Sequence, residues 1–295
     1  MGDGFLQSSK FLLSLRRAAG LALLAALAFG AGRQAFADDH EFPGGDGSQG
    51  NPYVVMSAED LYHVRDDPDA YYVQGADIDL SAFGEWQPIG TSTEPFTGEF
   101  DGGDFKIAGL TMTAGGAGGY YGLFGHTQNA VLQNIHLRDV HIDATGGNGP
   151  AGGLAGSGQF ASISNVSVTG TVRTDDPAGS IGGIAGTLSN STISNSYSTA
   201  EVSGGQHAGG LAGFLSGSTV QRSYAAGDVS GYNAGGLIGT MDYSTVADSY
   251  ATGNALSEGA AGAAGGLIGQ VRIGLINSEV GNSYSLGEAN GAASG

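Results

Sequence analysis

Three groups of side chains in this sequence have the type and spacing to do chemistry. "ADIDL" carries Asp77 and Asp79, "GEFDGGD" carries Glu99, Asp101 and Asp104, and "NIHLRDVHID" carries His136, Asp139, His141 and Asp143. Carboxylate oxygens suit a hard cation such as calcium, and imidazoles suit zinc. If "DID" is a strand, its alternation sends Asp77 and Asp79 to one side and Ile78 to the other. The two carboxylates are therefore the candidate calcium site, and calcium is the one candidate cofactor. "DGGD" reads as a plain turn. In "NIHLRDVHID" the same alternation sets Ile135 and Leu137 opposite His136 and Arg138, so the imidazoles read as solvated rather than as a metal centre.

Other catalytic signatures are missing from the sequence. It has no H-E-x-x-H and no G-x-S-x-G. "GGAGGYYG" resembles a phosphate loop only in its glycine content, with no lysine or helix following. A polysaccharide lyase or hydrolase needs clustered carboxylates, often beside basic residues that hold an acidic sugar. After residue 37 the basic residues are Arg65, Lys106, Arg138, Arg173, Arg222 and Arg272, spread singly. The expectation is a protein without catalysis, and the alternative is a carbohydrate-active enzyme.

Charge and composition narrow the partners. Lys10, Arg16 and Arg17, the apolar run "AAGLALLAALAFG" (18–30) and "AFA" (35–37) form the three regions of a secretory signal over residues 1–37. The apolar run is short for a membrane span. The 295-residue chain has 10 Lys+Arg against 28 Asp+Glu, a net charge of −18. Residues 1–37 hold four of those bases and one of those acids, so the exported part is near −21. Such a surface repels nucleic acid and anionic lipid. The chain has no cysteine, which excludes disulfides and thiolate metal sites. A secreted or cell-surface protein is expected, with no membrane span left after cleavage.

What positions these residues is a repeat. Its glycine signature occurs as "YGLFG" (121–125), "GGLAG" (152–156), "GGIAG" (182–186), "GGLAG" (209–213), "GGLIG" (235–239) and "GGLIG" (265–269). Successive final glycines lie 31, 30, 27, 26 and 30 residues apart. Ile163, Ile193, Val220 and Val246 each follow seven residues later, and Val280 follows after an insertion. Then come Asn165, Asn195, Arg222, Asp248 or Asn282, and next "VSVTG", "SYSTA", "SYAAG", "SYATG" or "SYSLG". The pieces are strand-length and too short for helices. A unit this small buries its apolar face only by stacking on copies of itself. The period predicts an all-β fold, a right-handed parallel β-helix (β-solenoid) with three short strands per rung.

Alternation then sets the faces. Val166 and Val168 point inward, and so by alignment do Ser196/Ser198, Ser223/Ala225, Ser249/Ala251 and Ser283/Ser285. Tyr197, Tyr224, Tyr250 and Tyr284 point outward in one column with Ser167 and His136. That column has two readings: packing between neighbouring strands, or an aromatic stripe that binds glycan or protein. Residues 38–120 form an N-terminal cap and the first rungs, and 121–295 form the repeats. The cap candidate is a short helix near Ala58–Arg65, entered at Ser57 with Asp60 three residues on, and carrying Leu61 and Val64. Trp86 is expected to pack there.

These units resemble the GLUG motif repeats of bacterial exported proteins. The segment "GGDGSQGNPYVV…AEDL…YYVQGADIDL…WQPIG…PFTGEFDGGDFKIAGLTM…YGLFG" resembles the leader that precedes such repeats. The resemblance covers nearly all of 42–295. It implies an extracellular β-helix of the kind found in adhesin-like surface proteins and in the non-catalytic part of IgA-specific metallopeptidases. It transfers no catalytic residue. The expected function is a structural or adhesive module that binds an extracellular glycan, or a host or neighbour-cell protein, through its outer face. "GEANGAASG" at 287–295 looks like the lead-in to another rung, which makes this the N-terminal part of a larger adhesin or peptidase in one reading. An exposed last rung would also favour end-to-end self-association.

Overall fold

The computed structural model describes residues 40–113, 119–272 and 278–291. The chain divides between His40 and Glu41, and the second unit is a parallel β-solenoid. The expected signal at 1–37 lies outside the described residues.

Four sheets run along the solenoid. One has nine strands, from Tyr53–Val55 through Val131–Gln133 and Thr192–Ser194 to Glu279–Gly281. It continues without a break from the leader segment into the repeats. A second has six strands, from Phe124–Gln128 to Ile268–Val271, and a third has five, from Ala151–Gly152 to Ala263–Gly265. The fourth carries the tyrosine pieces and the short valine pieces side by side. Ladder pairs between rungs are in parallel register, such as Leu132↔Ile163↔Ile193↔Val220↔Val246↔Val280.

The first repeat rung has the three expected strands, Phe124–Gln128, Val131–Gln133 and His136–Asp143, and the later rungs resolve into more segments. In the rung that follows Asp176 the segments are Ser180–Gly182, Ala185–Ser189, Thr192–Ser194, Tyr197–Ser198 and Glu201–Ser203. One extra break comes from the glycine signature, where the double glycine bends one piece into two strands that nearly touch, and the other falls at residues 199–200 between the tyrosine and valine pieces. A Cβ on Gly235 would sit 1.9 Å from the Ile238 carbonyl oxygen, so only glycine permits this approach.

The corners are set by residues with positive φ. Asn134, Asn165, Asn195, Arg222, Asp248 and Asn282 form one such column, with φ of 47–55°. Asn129, Phe160, Asn190, Gly217 and Tyr243 form a second. Asparagine and aspartate tolerate this left-handed region because their short side chains bond locally.

The core follows the predicted alternation. Ile135, Leu137, Val166, Val168, Ala225 and Ala251 are fully buried or nearly so, as are Ser196, Ser198, Ser223 and Ser249. The lumen is aromatic in the first rungs, where Phe96 and Phe100 pack on Phe124 at 4.9 and 5.8 Å. Smaller residues fill it later. The helix spans Ala58–His63 and continues as a 3-10 turn, Val64–Asp66. Ser57 Oγ accepts the Asp60 amide, and the Asp60 carboxylate accepts the Met56 amide, a variant of the capping box. Leu61 and Val64 are fully buried, and Trp86 donates its indole N–H to the Leu123 carbonyl at 3.0 Å.

Candidate functional site

Two series of serines facing the core have their hydroxyls satisfied in a regular way, whereas the buried Ser285 Oγ has no hydrogen-bond partner among the described residues. Ser196 Oγ donates to its own strand's Ser194 carbonyl and accepts the Val166 amide of the preceding rung. Ser223 and Ser249 repeat the pattern, and Ser283 Oγ accepts the Ser249 amide. A second ladder runs through Ser191, Ser218, Ser244 and Ser278. A buried hydroxyl without partners would cost stability. In these two series each hydroxyl instead ties two successive rungs together, while Ser198 Oγ accepts the Ala200 amide of its own rung.

Outside this frame stands the tyrosine column. Tyr197, Tyr224, Tyr250 and Tyr284 are in register on adjacent strands. Their rings stack nearly parallel, at 4.9, 4.9 and 5.3 Å between centroids. That spacing is the strand spacing itself. The column continues through Ser167, whose Oγ lies 2.8 Å from His136 Nδ1. Arg138 reaches the Tyr197 hydroxyl and draws its pKa below the ordinary value. Burial draws that of Tyr224 upward. The consequence for recognition is geometric. A sugar or apolar ligand stacks on an open ring face, and within the column those faces are taken by neighbouring rings. Tyr284, 52% exposed, is the most open of the four.

The candidate calcium residues Asp77 and Asp79 are both exposed and flank buried Ile78, with Asp79 on the strand Ile78–Asp79 and Asp77 just before it. Each carboxylate already caps a backbone amide: Asp77 Oδ1 accepts Lys106 N–H, and Asp79 Oδ1 accepts Ser81 N–H, both at 2.8 Å. The Ser81 contacts hold the Asp79 carboxyl below its usual range. Among the described residues, no third acidic or imidazole side chain joins the pair. In "GEFDGGD" the oxygens receive amide donors from later rungs. Asp101 takes Asn134 and Gln133, Glu99 takes Gln133, and Asp104 takes Asn165. His136 and His141 turn to separate partners: His136 to Ser167 through Nδ1 and to Asp104 through Nε2 at 3.3 Å, and His141 to Thr171.

One polar cluster was not visible in the sequence. His207, on the five-strand sheet, is 6% exposed, and its Nδ1 lies 2.8 Å from Thr240 Oγ1. Phe214 packs on the imidazole, and Arg272 lies over Phe214. Burial, with help from Arg272, pushes the His207 pKa down to about 4. The signal would have been the alignment of His207 with small residues, but two sheets had to meet before the partners could be known.

Fold and outer surface together define a parallel β-solenoid assembled from short glycine-cornered repeats. The GLUG motif model matches residues 147–173 and 177–203, and these two rungs are GLUG motifs. A Gly-rich membrane protein of Evansella cellulosilytica is 34% identical over 140 residues, covering 45% of this chain and 16% of the relative. Halomucin of Haloquadratum walsbyi is 35% identical over 141 residues, covering 45% of this chain and 2% of the relative. The matched segment is thus a small part of either relative. A crystal structure from Bacteroides ovatus, described as an immunoglobulin A1 protease, superposes with a TM-score of 0.71 at 27% identity. The match covers 82% of this chain and 77% of that one. No helix among the described residues is long and apolar enough to cross a membrane.

Proposed function

We propose that this chain is a non-catalytic adhesive module of an exported or surface-displayed protein. The observation that carries the reading is the stacking itself. Every outward position recurs at rung spacing on a stiff frame, so weak contacts add along the axis by avidity. The surface is strongly acidic, which favours solubility and selects against anionic partners. The membrane and halomucin descriptions of the two relatives accord with display outside the cell. The test is binding of the purified chain to immobilised glycans, extracellular proteins and whole cells by biolayer interferometry and flow cytometry. Retention on at least one surface is expected, and retention on none overturns the reading.

The likeness to the Bacteroides ovatus structure favours a second reading, in which the solenoid is a substrate-facing part of a larger peptidase. It differs in one measurable way: under it the chain is retained on immobilised immunoglobulin A1. Incubating the chain with immunoglobulin A1 and with a polysaccharide panel should leave both intact. Cleavage of either would make the chain an enzyme.

A further inference from the structure

Away from the tyrosine column lies a groove of about 590 Å³ that crosses four successive rungs. Arg173 and Asp175 stand on its first rung, Gly204 and Gly205 on the second, Tyr232 on the third and Glu258 on the fourth. The glycine corner keeps it open. Gly204 has φ +97°, and a Cβ there would meet the Thr174 carbonyl oxygen at 1.7 Å, so no side chain fills the floor. Tyr232 N–H bonds the Gly205 carbonyl at 2.9 Å, which sets the phenol directly beside that corner.

Tyr232 differs from the ladder tyrosines in what touches its ring. Gly259 backs the Cδ2–Cε2 side, where a Cβ would come within 2.5 Å. Among the described residues no aromatic ring stacks on it, and it is 38% exposed. The groove's polar groups are also available. Asp175 commits one oxygen to the Gly146 amide. The Arg173 and Glu258 side chains form no hydrogen bond or ion pair among the described residues, although the Arg173 charge acts on Asp143 of the neighbouring strand.

We infer that this groove is a binding subsite for a neutral oligosaccharide. The inference rests on the adhesive reading above and gives it a place and a ligand class. A pyranose has a C–H face and a rim of hydroxyls that both donate and accept. An open tyrosine ring takes the face, while a guanidinium and two carboxylates take the rim. The volume lies in the ~300–1,000 Å³ range of small-molecule sites. Sialylated or uronic sugars are disfavoured, because Asp175 and Glu258 outnumber Arg173 on a chain of net charge −18. An apolar peptide would meet one ring amid charges.

Calorimetric titration of the full chain with cellotetraose, mannotetraose and galactotetraose, and with sialyllactose as the anionic control, tests the assignment. At least one is expected to bind. Tyr232→Ala should weaken that binding roughly tenfold, the loss of one aromatic contact and its hydrogen bonds. Glu258→Gln should weaken it less. Gly259→Ala, which moves the ring without deleting it, should also weaken it, and all three should keep the wild-type melting profile. Unchanged affinity in Tyr232→Ala, or binding confined to sialylated glycans, overturns the groove. If none of the three tetraoses binds while the chain still adheres to cells or proteins, the groove fails and the adhesive reading stands. If the chain adheres to nothing, both fail.

Discussion

His207 shows how burial converts a side chain's ordinary chemistry into a stability term. Its folded pKa of about 4 lies below its usual 6.5, because desolvation disfavours the imidazolium and Arg272 repels it. The folded state therefore binds fewer protons than the unfolded state between those values. This contribution is complete above about pH 6.5 and is lost as pH falls toward 4. An NMR titration of the His207 ring should give a midpoint near 4, and a midpoint near 6.5 would mean a solvated ring. Phe160 poses the opposite problem. It is 52% exposed yet sits at φ 53°, where its column neighbours are Asn129 and Asn190. The left-handed region costs a non-glycine residue about 1–2 kcal/mol, and asparagine recovers part of that. Phe160→Asn should thus raise stability by roughly 0.5–1 kcal/mol, read as a higher urea midpoint. A lower midpoint would show that the ring has a partner worth more than the strain.

At the scale of strands, the serine ladders hold what a hydrophobic core this narrow leaves unpaired. Ser223 Oγ accepts the buried Ser196 amide at 3.1 Å and donates to the Gln221 carbonyl at 2.8 Å. Ser223→Ala leaves that amide without an acceptor, which costs about 1–3 kcal/mol. Denaturant unfolding should show the loss, whereas the outward Ser230→Ala should show almost none. The ladders also mark the limit of what was legible in the sequence. The inward register was readable because two-residue alternation in "NIHLRD" and "NVSVTG" anchors the serine-rich copies by alignment. That tyrosines face out followed from the same rule. The consumption of their ring faces did not, since it depends on the distance between residues 26–34 positions apart. The five-segment rung was hidden because double glycine signals a turn without saying that two strands meet there. Asp77 and Asp79 both emerge exposed beside buried Ile78; the capping of the Lys106 amide by Asp77 needed the next rung in position, whereas Asp79 caps the Ser81 amide two residues on in a local turn.

For the whole molecule, stacking makes stability a sum of rung and interface terms rather than the property of one closed core. Arg173 pairs with Ser203, one rung on. Removing residues 174–203 joins Arg173 to Gly204 in a compatible register and deletes a single rung. The shortened chain should keep its β-sheet circular dichroism and one cooperative melt, at a somewhat lower temperature. Loss of all structure would show that this rung is a nucleus rather than one unit among several. The acidic surface and aromatic early lumen place different demands on the two regions. The early rungs bury large rings around Phe96, Phe100 and Phe124, whereas the later ones rely on alanine, serine and hydrogen bonds.

The tyrosine ladder also gives the protein an optical property. Four phenols held parallel with ring centroids about 5 Å apart are close enough for excitation to pass from ring to ring before emission. Transfer between parallel rings preserves polarisation, so tyrosine fluorescence from the native chain should be more polarised than that of its unfolded form, where the rings tumble independently. That signal depends on rungs staying in register, so the chain carries an internal gauge of its own assembly that needs no added label.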